Sequence, residues 1–170
     1  LLNKGILCEG FMGTFVLNME PEDIHMAEVL ATIEAVIFEA RTLGPIPFRE
    51  IYRRLTDAEY HIGLRDGVIP IYVAVVFHEL KQQIVIQDGY GQVPLNADVM
   101  QQMLSDPDNY YISYFDWDAD KADFVEKMSV VFSDYVIETE KLNDAYGYVA
   151  SAMKRWYLGL PKYTRESKKT

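Results

Sequence analysis

The segment from Val68 to Gln82 predicts a helix with apolar side chains on almost every face. Pro70 stands in the first turn, where a helix accepts proline, and residues 71–80 continue without a polar stripe. A helix that is apolar all round is stable in water only when other elements cover it. The chain is therefore expected to build its core around this helix.

The elements next to this segment predict the fold class. Residues 22–42 repeat apolar side chains at helical spacing, and residues 48–56 form a shorter amphipathic helix. Residues 84–95 combine two short β-prone runs with a glycine-containing turn, which is typical of a hairpin. Three helices followed by a β-hairpin is the element order of a winged helix. We predict an α+β fold, mostly helical, with a winged-helix-like core.

The remainder of the chain extends this core. A short helix is predicted over residues 97–104, a strand that joins the hairpin over 110–115, and amphipathic helices between 119 and 158. The predicted organisation is an extended N-terminal arm over 1–20, the winged-helix-like core over 21–115, a C-terminal helical extension over 116–160 and a basic tail over 161–170.

Charge and cysteine content exclude several classes of protein. The 170 residues include 16 basic and 26 acidic side chains, and the segment from Lys154 onward is the positive part of a chain whose first 153 residues carry a net −15. Such a body repels phosphate backbones. The longest apolar runs are far shorter than the roughly 20 residues that cross a bilayer, so we predict no membrane partner. The single cysteine, Cys8, predicts a buried or half-buried thiol and a reducing, cytoplasmic compartment.

Several short patterns resemble catalytic or metal motifs but lack an essential residue. His78 and Glu79 begin like a zinc-protease helix, but position 82 is Gln rather than the second histidine. The glycines of residues 10–14 precede a threonine without the lysine of a phosphate-binding loop. Four closely spaced aspartates resemble a calcium loop: Asp116, Asp118, Asp120 and Asp123. The segment lacks the glycine and the final glutamate that such a loop requires. We therefore predict no catalytic residue, no metal ligand and no cofactor.

Dispersed residues leave one catalytic alternative open. His25, His61 and His78 fall on different predicted elements, and Cys8 would need one of them nearby as a base. An enzyme with a site assembled from such residues would need a deep pocket.

DNA contact is a second alternative. A winged helix usually reads bases with polar and basic residues on its third helix, but the third helix here is predicted to be core. Arg49, Arg53 and Arg54 are the candidate phosphate contacts in this alternative.

Aromatic residues predict a different kind of surface. The chain has 12 tyrosines, and many lie in its C-terminal half. Tyrosine and tryptophan are enriched at protein interfaces because a rigid ring with one polar tip buries area at little entropic cost. Tyr148, Trp156 and Tyr157 are the candidate interaction surface, and the expected partner is another domain of the same protein or a second copy.

Two stretches carry a resemblance to a protein family. IGLRDGVIPI at residues 62–71 and RWYLGLPKYTR at residues 155–165 resemble segments of large multidomain bacterial P-loop ATPases, several of which belong to restriction and phage-defence loci. With Leu1 and Leu2 as its first residues, the chain is expected to be a piece of such a protein. The resemblance implies an architectural context and no catalytic residue. We therefore expect a non-catalytic interaction or linker module of a larger nucleotide-dependent protein.

Overall fold

The computed structural model describes residues 5–10, 14–143 and 146–166. The chain divides into two compact units, Leu1–Phe115 and Asp116–Thr170, which we call the core unit and the helical unit. The last residues of the predicted basic tail, 167–170, lie outside the described residues.

The core unit begins with a two-stranded antiparallel hairpin. Its helices and strands are β1 (Leu7–Glu9), β2 (Phe15–Leu17), α1 (Ile24–Leu43), β3 (Ile46–Pro47), α2 (Arg49–Thr56), α3 (Ile69–Glu79), β4 (Ile84–Asp88), β5 (Gly91–Val93), α4 (Ala97–Ser105) and β6 (Tyr111–Tyr114). The helical unit contains α5 (Ala119–Val131), α6 (Glu138–Asn143), α7 (Gly147–Gly159) and α8 (Lys162–Glu166).

Local sequence signals explain where α1 begins and ends. The Asp23 carboxylate accepts hydrogen bonds from the backbone N–H groups of His25 and Met26, which α1 itself leaves unpaired. Gly44 ends the helix with a φ of 83°, a left-handed conformation that glycine adopts without steric cost. The helix predicted over 22–42 is thereby confirmed to within two residues at each end.

The four-stranded sheet is antiparallel, in the order β3-β6-β4-β5. The predicted strand over 110–115 joins the hairpin: β6 pairs with β4, so that Ile86 lies opposite Ile112. On its other side β6 pairs with β3, which lies between α1 and α2 in the chain. In the hairpin turn, the Asp88 carboxylate accepts from the N–H groups of Tyr90 and Gly91, and Gly91 has a φ of 135°.

Helices α1, α2 and α3 and the sheet enclose one apolar core. The α3 residues Ile69, Val73 and Val76 are fully buried, as the apolar pattern predicts, but Ile71 is 46% exposed, so one side of the helix is not covered. The helix ends at Glu79, three residues before the predicted end, because the chain turns through residues 80–83 into β4. Ile6 is also fully buried in this core, so the predicted N-terminal arm contributes to it.

The single thiol lies on the outer face of the first hairpin. Cys8 is paired across the ladder with Val16, and both are exposed, whereas the alternate pair, Leu7 and Leu17, is half-buried. The prediction of a buried or half-buried Cys8 is wrong, because alternation along the strand places its side chain on the opposite face from these leucines.

The α+β fold class is confirmed. The winged-helix arrangement of the core stays a prediction. Among the described residues, no helix combines the length and the apolar character that crossing a bilayer requires.

Candidate interaction surface

Helix α5 has an apolar face that nothing in the described chain buries. Phe124, Met128 and Val131 follow one another at i, i+4 and i+7, which places them on one face of the helix. The exposed fraction is 63% for Phe124 and 70% for Val131. None of the residues of α5, all of which the structure describes, is buried.

Helix α7 has one buried face and one exposed face. Tyr148, Val149 and Ala152 are buried, whereas Trp156 and Tyr157 are 40% and 46% exposed. Tyr148 was predicted with Trp156 and Tyr157 as one interaction surface, but its side chain faces the interior. The helical period explains the contrast with Tyr157, since nine residues are two and a half turns and place that side chain on the opposite side of the helix.

The exposed side of α7 extends beyond the predicted tryptophan and tyrosine. Met153, Trp156 and Tyr157 are spaced i, i+3 and i+4, and all three are exposed. The ring of Trp156 contacts Phe132, just after α5, edge to face at 5.5 Å between centroids. Helices α5 and α7 contact each other. We call their exposed apolar residues at i, i+3, i+4 and i+7 spacing the exposed apolar face: Phe124, Val131, Met153, Trp156 and Tyr157.

An ion pair holds α7 in position. The Arg155 guanidinium donates to both carboxylate oxygens of Glu140 at 2.8 Å and, through Nε, to the backbone oxygen of Tyr135 at 2.8 Å. These hydrogen bonds lower the pKa of Glu140. Arg155 therefore links α7 to α6 and to the 3-10 turn at residues 133–135, although its position at the end of an apolar pattern gave no sign of this role.

The arginines of the DNA alternative are already paired with carboxylates. Arg53 donates two hydrogen bonds to Glu50, at 2.7 and 2.8 Å. Arg54 donates to both oxygens of Glu39 at 2.6 Å and to Glu50 at 2.8 Å. The hydrogen bonds from Arg53, then those from Arg54, lower the pKa of Glu50 to about 2, against burial, which raises it.

Arg49 also has a carboxylate partner, Asp108. Three carboxylates therefore match three guanidinium groups, so the cluster has no excess positive charge to offer a phosphate. Helix α3, which would read bases in a winged helix, exposes Ile71, Ala74, His78 and Glu79. This face has no lysine or arginine.

Two histidines from distant parts of the sequence line one cleft. His25 at the start of α1 and His61 border a cleft of about 400 Å³ with Tyr72 of α3 and the carboxylates of Asp23 and Glu28. Burial, and to a smaller extent the charge of Asp23, raises the pKa of Tyr72. His61 has a φ of 59°, in the left-handed region. The histidines are 36 positions apart, and the sequence gave no signal of this convergence.

The side chains considered for metal binding have other roles. Asp118 caps α5 by accepting from the N–H of Lys121, and hydrogen bonding from Lys121 lowers the pKa of this carboxyl. Asp123 pairs with Lys127. Within the described ranges, no three histidine, cysteine or acidic side chains are grouped so that they could hold a metal ion.

Comparisons with protein-family models, with curated proteins and with solved structures gave no match to this chain. The arguments below therefore start from the contacts and charges of the residues themselves.

Proposed function

We propose that this chain is a non-catalytic interaction module that connects domains or subunits of a larger nucleotide-dependent protein of the phage-defence type. The core unit serves as a winged-helix-like body, and the helical unit provides the contact. The partner is another domain of that protein or a second copy, and the setting is the cytoplasm.

The observation that carries the proposal is the exposed apolar face. An isolated helix of 13 residues is marginal in water, and most helical stability in proteins comes from packing of an apolar face. Helix α5 has such a face but no buried residue. Contiguous exposed apolar side chains on a folded domain mark protein contacts, and aromatic residues such as Trp156 and Tyr157 dominate binding energy in those contacts.

The distribution of charge supports a protein partner over DNA. Affinity for duplex DNA depends on cations placed against phosphate and falls steeply with salt. The candidate cations Arg49, Arg53 and Arg54 are each paired with a carboxylate. An apolar face loses little affinity as salt rises, because its driving force is the removal of apolar surface from water.

The test uses tryptophan fluorescence. The chain has two tryptophans, and Trp117→Phe leaves Trp156 as the sole reporter. This variant is titrated with the remainder of the larger protein and, separately, with duplex DNA, each at low and at physiological salt. We expect a saturable blue shift of Trp156 emission with the protein at both salt concentrations and no specific response to DNA.

Two further substitutions locate the binding face. Val131→Glu places a charge in the exposed apolar face and should weaken binding at least tenfold. Tyr90→Glu is the matched control, since Tyr90 is fully exposed at the β4–β5 turn of the core unit, and it should leave binding unchanged. Binding to DNA at physiological salt that disappears when Arg49, Arg53 and Arg54 are replaced by Gln would refute the proposal in favour of the DNA alternative.

A further inference from the structure

We propose that the exposed apolar face binds the same face of a second copy of this chain, which forms a two-fold symmetric interface between helical units. The inference rests on the proposed function, since it takes this face to be a contact surface, and it names the partner.

The charges of the two units favour self-association through the helical unit. The core unit has seven basic and 16 acidic residues, a net charge of −9, and the helical unit has nine basic and ten acidic residues, a net charge of −1. Two strongly acidic surfaces repel each other when they approach. The nearly neutral helical unit is therefore the part of the chain that two copies can bring together at low electrostatic cost.

Charge is also separated within the helical unit. Residues 116–146 carry nine acidic and three basic side chains, a net −6, and residues 147–170 carry six basic and one acidic, a net +5. In a two-fold symmetric interface the same patch occurs on both subunits, so that each contact occurs twice. An antiparallel pairing places the negative half of each copy opposite the positive half of the other. The sequence of the helical unit is thus complementary to itself.

The exposed area is sufficient for a specific interface. A whole aromatic side chain offers roughly 150–250 Å², and the exposed fractions of Phe124, Trp156 and Tyr157 are 63%, 40% and 46%. These three rings, with Val131 and Met153, supply an apolar area on the order of half of the 800 Å² that each partner contributes to a standard interface, and apolar atoms make up little more than half of such an interface.

The geometry of the helices suits a bundle. Helices α5 and α7 contain 13 residues each, or about 20 Å at 1.5 Å per residue. Each is near the mean length of a helix in a globular protein. Two copies contribute four such helices, the number that encloses a common apolar core in a four-helix bundle. One copy alone contributes two, which leaves the face of α5 uncovered.

The inference is tested by sedimentation equilibrium of the whole chain over a wide range of concentrations. We expect a concentration-dependent mass that reaches twice the chain mass of 19.6 kDa. Val131→Glu and Tyr157→Glu should each raise the dissociation constant at least tenfold, whereas Tyr90→Glu should leave it unchanged. Circular dichroism of each variant verifies that its helices are intact, and a variant that loses them is replaced by Val131→Ser or Tyr157→Ser.

Salt dependence tests the charge argument separately. Since the opposed halves carry opposite charges, the dimer should weaken moderately from low to physiological salt and should persist there because of its apolar contacts. A dimer that strengthens as salt rises would contradict the antiparallel pairing, since that dependence indicates like charges in contact.

The outcomes separate this inference from the proposed function. A chain that sediments as a single copy at all concentrations, or a dimer unaffected by both glutamate variants, overturns the second-copy proposal. If such a single copy still binds the remainder of the larger protein through Val131 and Tyr157, the proposed function stands. If the chain binds neither a second copy nor the remainder of the larger protein, the inference and the proposed function are both overturned. Trp156 is 40% exposed in one copy, so a single copy of Trp117→Phe whose emission is already that of a fully buried indole shows that the face is covered within one chain, and this also overturns the inference.

Discussion

The core unit and the helical unit use apolar residues in opposite ways. In the helical unit 25 of 55 residues are apolar, close to the 49% of the whole chain. Yet the core unit buries Phe48, Leu55 and Phe77 almost completely, whereas α5 buries no residue. Equal composition therefore does not produce an equal core. The difference lies in what surrounds each helix: α3 packs in one apolar core with α1, α2 and the four-stranded sheet, whereas the apolar side chains of α5 are at most half-buried.

The largest expected effect compares two phenylalanines. Phe48 is fully buried and Phe124 is 63% exposed. Phe48→Ala should lower the free energy of unfolding by about 3–5 kcal/mol, because it leaves a cavity. Phe124→Ala should change it by less than about 0.5 kcal/mol. Urea unfolding followed by circular dichroism, at a concentration low enough to exclude association, measures both. Equal losses would contradict the contrast between the units.

A second comparison lies within α7. Tyr148 is buried and Tyr157 is 46% exposed. Tyr148→Ala should destabilise the helical unit by about 2–3 kcal/mol through the loss of buried apolar area, and Tyr157→Ala by less than about 0.5 kcal/mol. Both tryptophans lie in the helical unit, so urea unfolding followed by tryptophan fluorescence reports on this unit. A stable Tyr148→Ala protein would mean that α7 does not depend on its buried face.

The third prediction concerns acid stability of the core unit. Hydrogen bonds from Arg53 and Arg54 lower the pKa of Glu50 to about 2 in the folded protein, from an ordinary value of 4.5. A lowered carboxyl pKa stabilises the fold above about pH 4.5, and this contribution is lost as the pH falls toward 2. The side chain is 22% exposed, so we expect a contribution of about 1 kcal/mol.

Glu50→Gln tests this contribution. This substitution should lower the urea midpoint of the core unit at pH 7. It should also reduce the further fall in the free energy of unfolding of the core unit between pH 5 and pH 3. Glu59→Gln, which removes an exposed carboxylate, is the control and should follow the parent at every pH. The interpretation is wrong if Glu50→Gln keeps the parental stability at pH 7.

The smallest expected effect applies to both units. Because the described residues include no group of three possible metal ligands, excess chelator should shift the unfolding midpoint of neither unit. The glycines of residues 10–14 lack the lysine of a phosphate-binding loop, so we expect no ATP hydrolysis. Thermal unfolding with and without chelator, metal analysis and a phosphate-release assay are the measurements. Stoichiometric zinc or calcium that is lost in His78→Ala or Asp118→Ala would contradict the prediction and would indicate a metal site at the substituted residue.

The fold was more predictable than the surface. Helix α3 was identified as core because its apolar residues occupy nearly every face, which only burial explains. The end of α3 at Glu79 was not predicted, because the next residues are compatible with a helix. The helix ends there only because the chain turns into β4. The cleft between His25 and His61 also escaped prediction, because contact between residues 36 positions apart depends on how the elements pack.

The sequence by itself determined the positions of most helices and strands and the buried residues of α3. It also showed that each catalytic or metal motif considered lacks an essential residue. These features are local properties of the chain, since they depend on hydrophobic period, helix capping and the spacing of nearby residues. Tertiary structure alone decided which apolar faces are covered. Tyr148 and Tyr157 are the same residue type on one helix, and the folded chain buries the first and leaves the second 46% exposed. Burial depends on neighbours that lie far away in the sequence. No local pattern therefore distinguishes an apolar face that is buried in the core from one that stays exposed and can bind a partner.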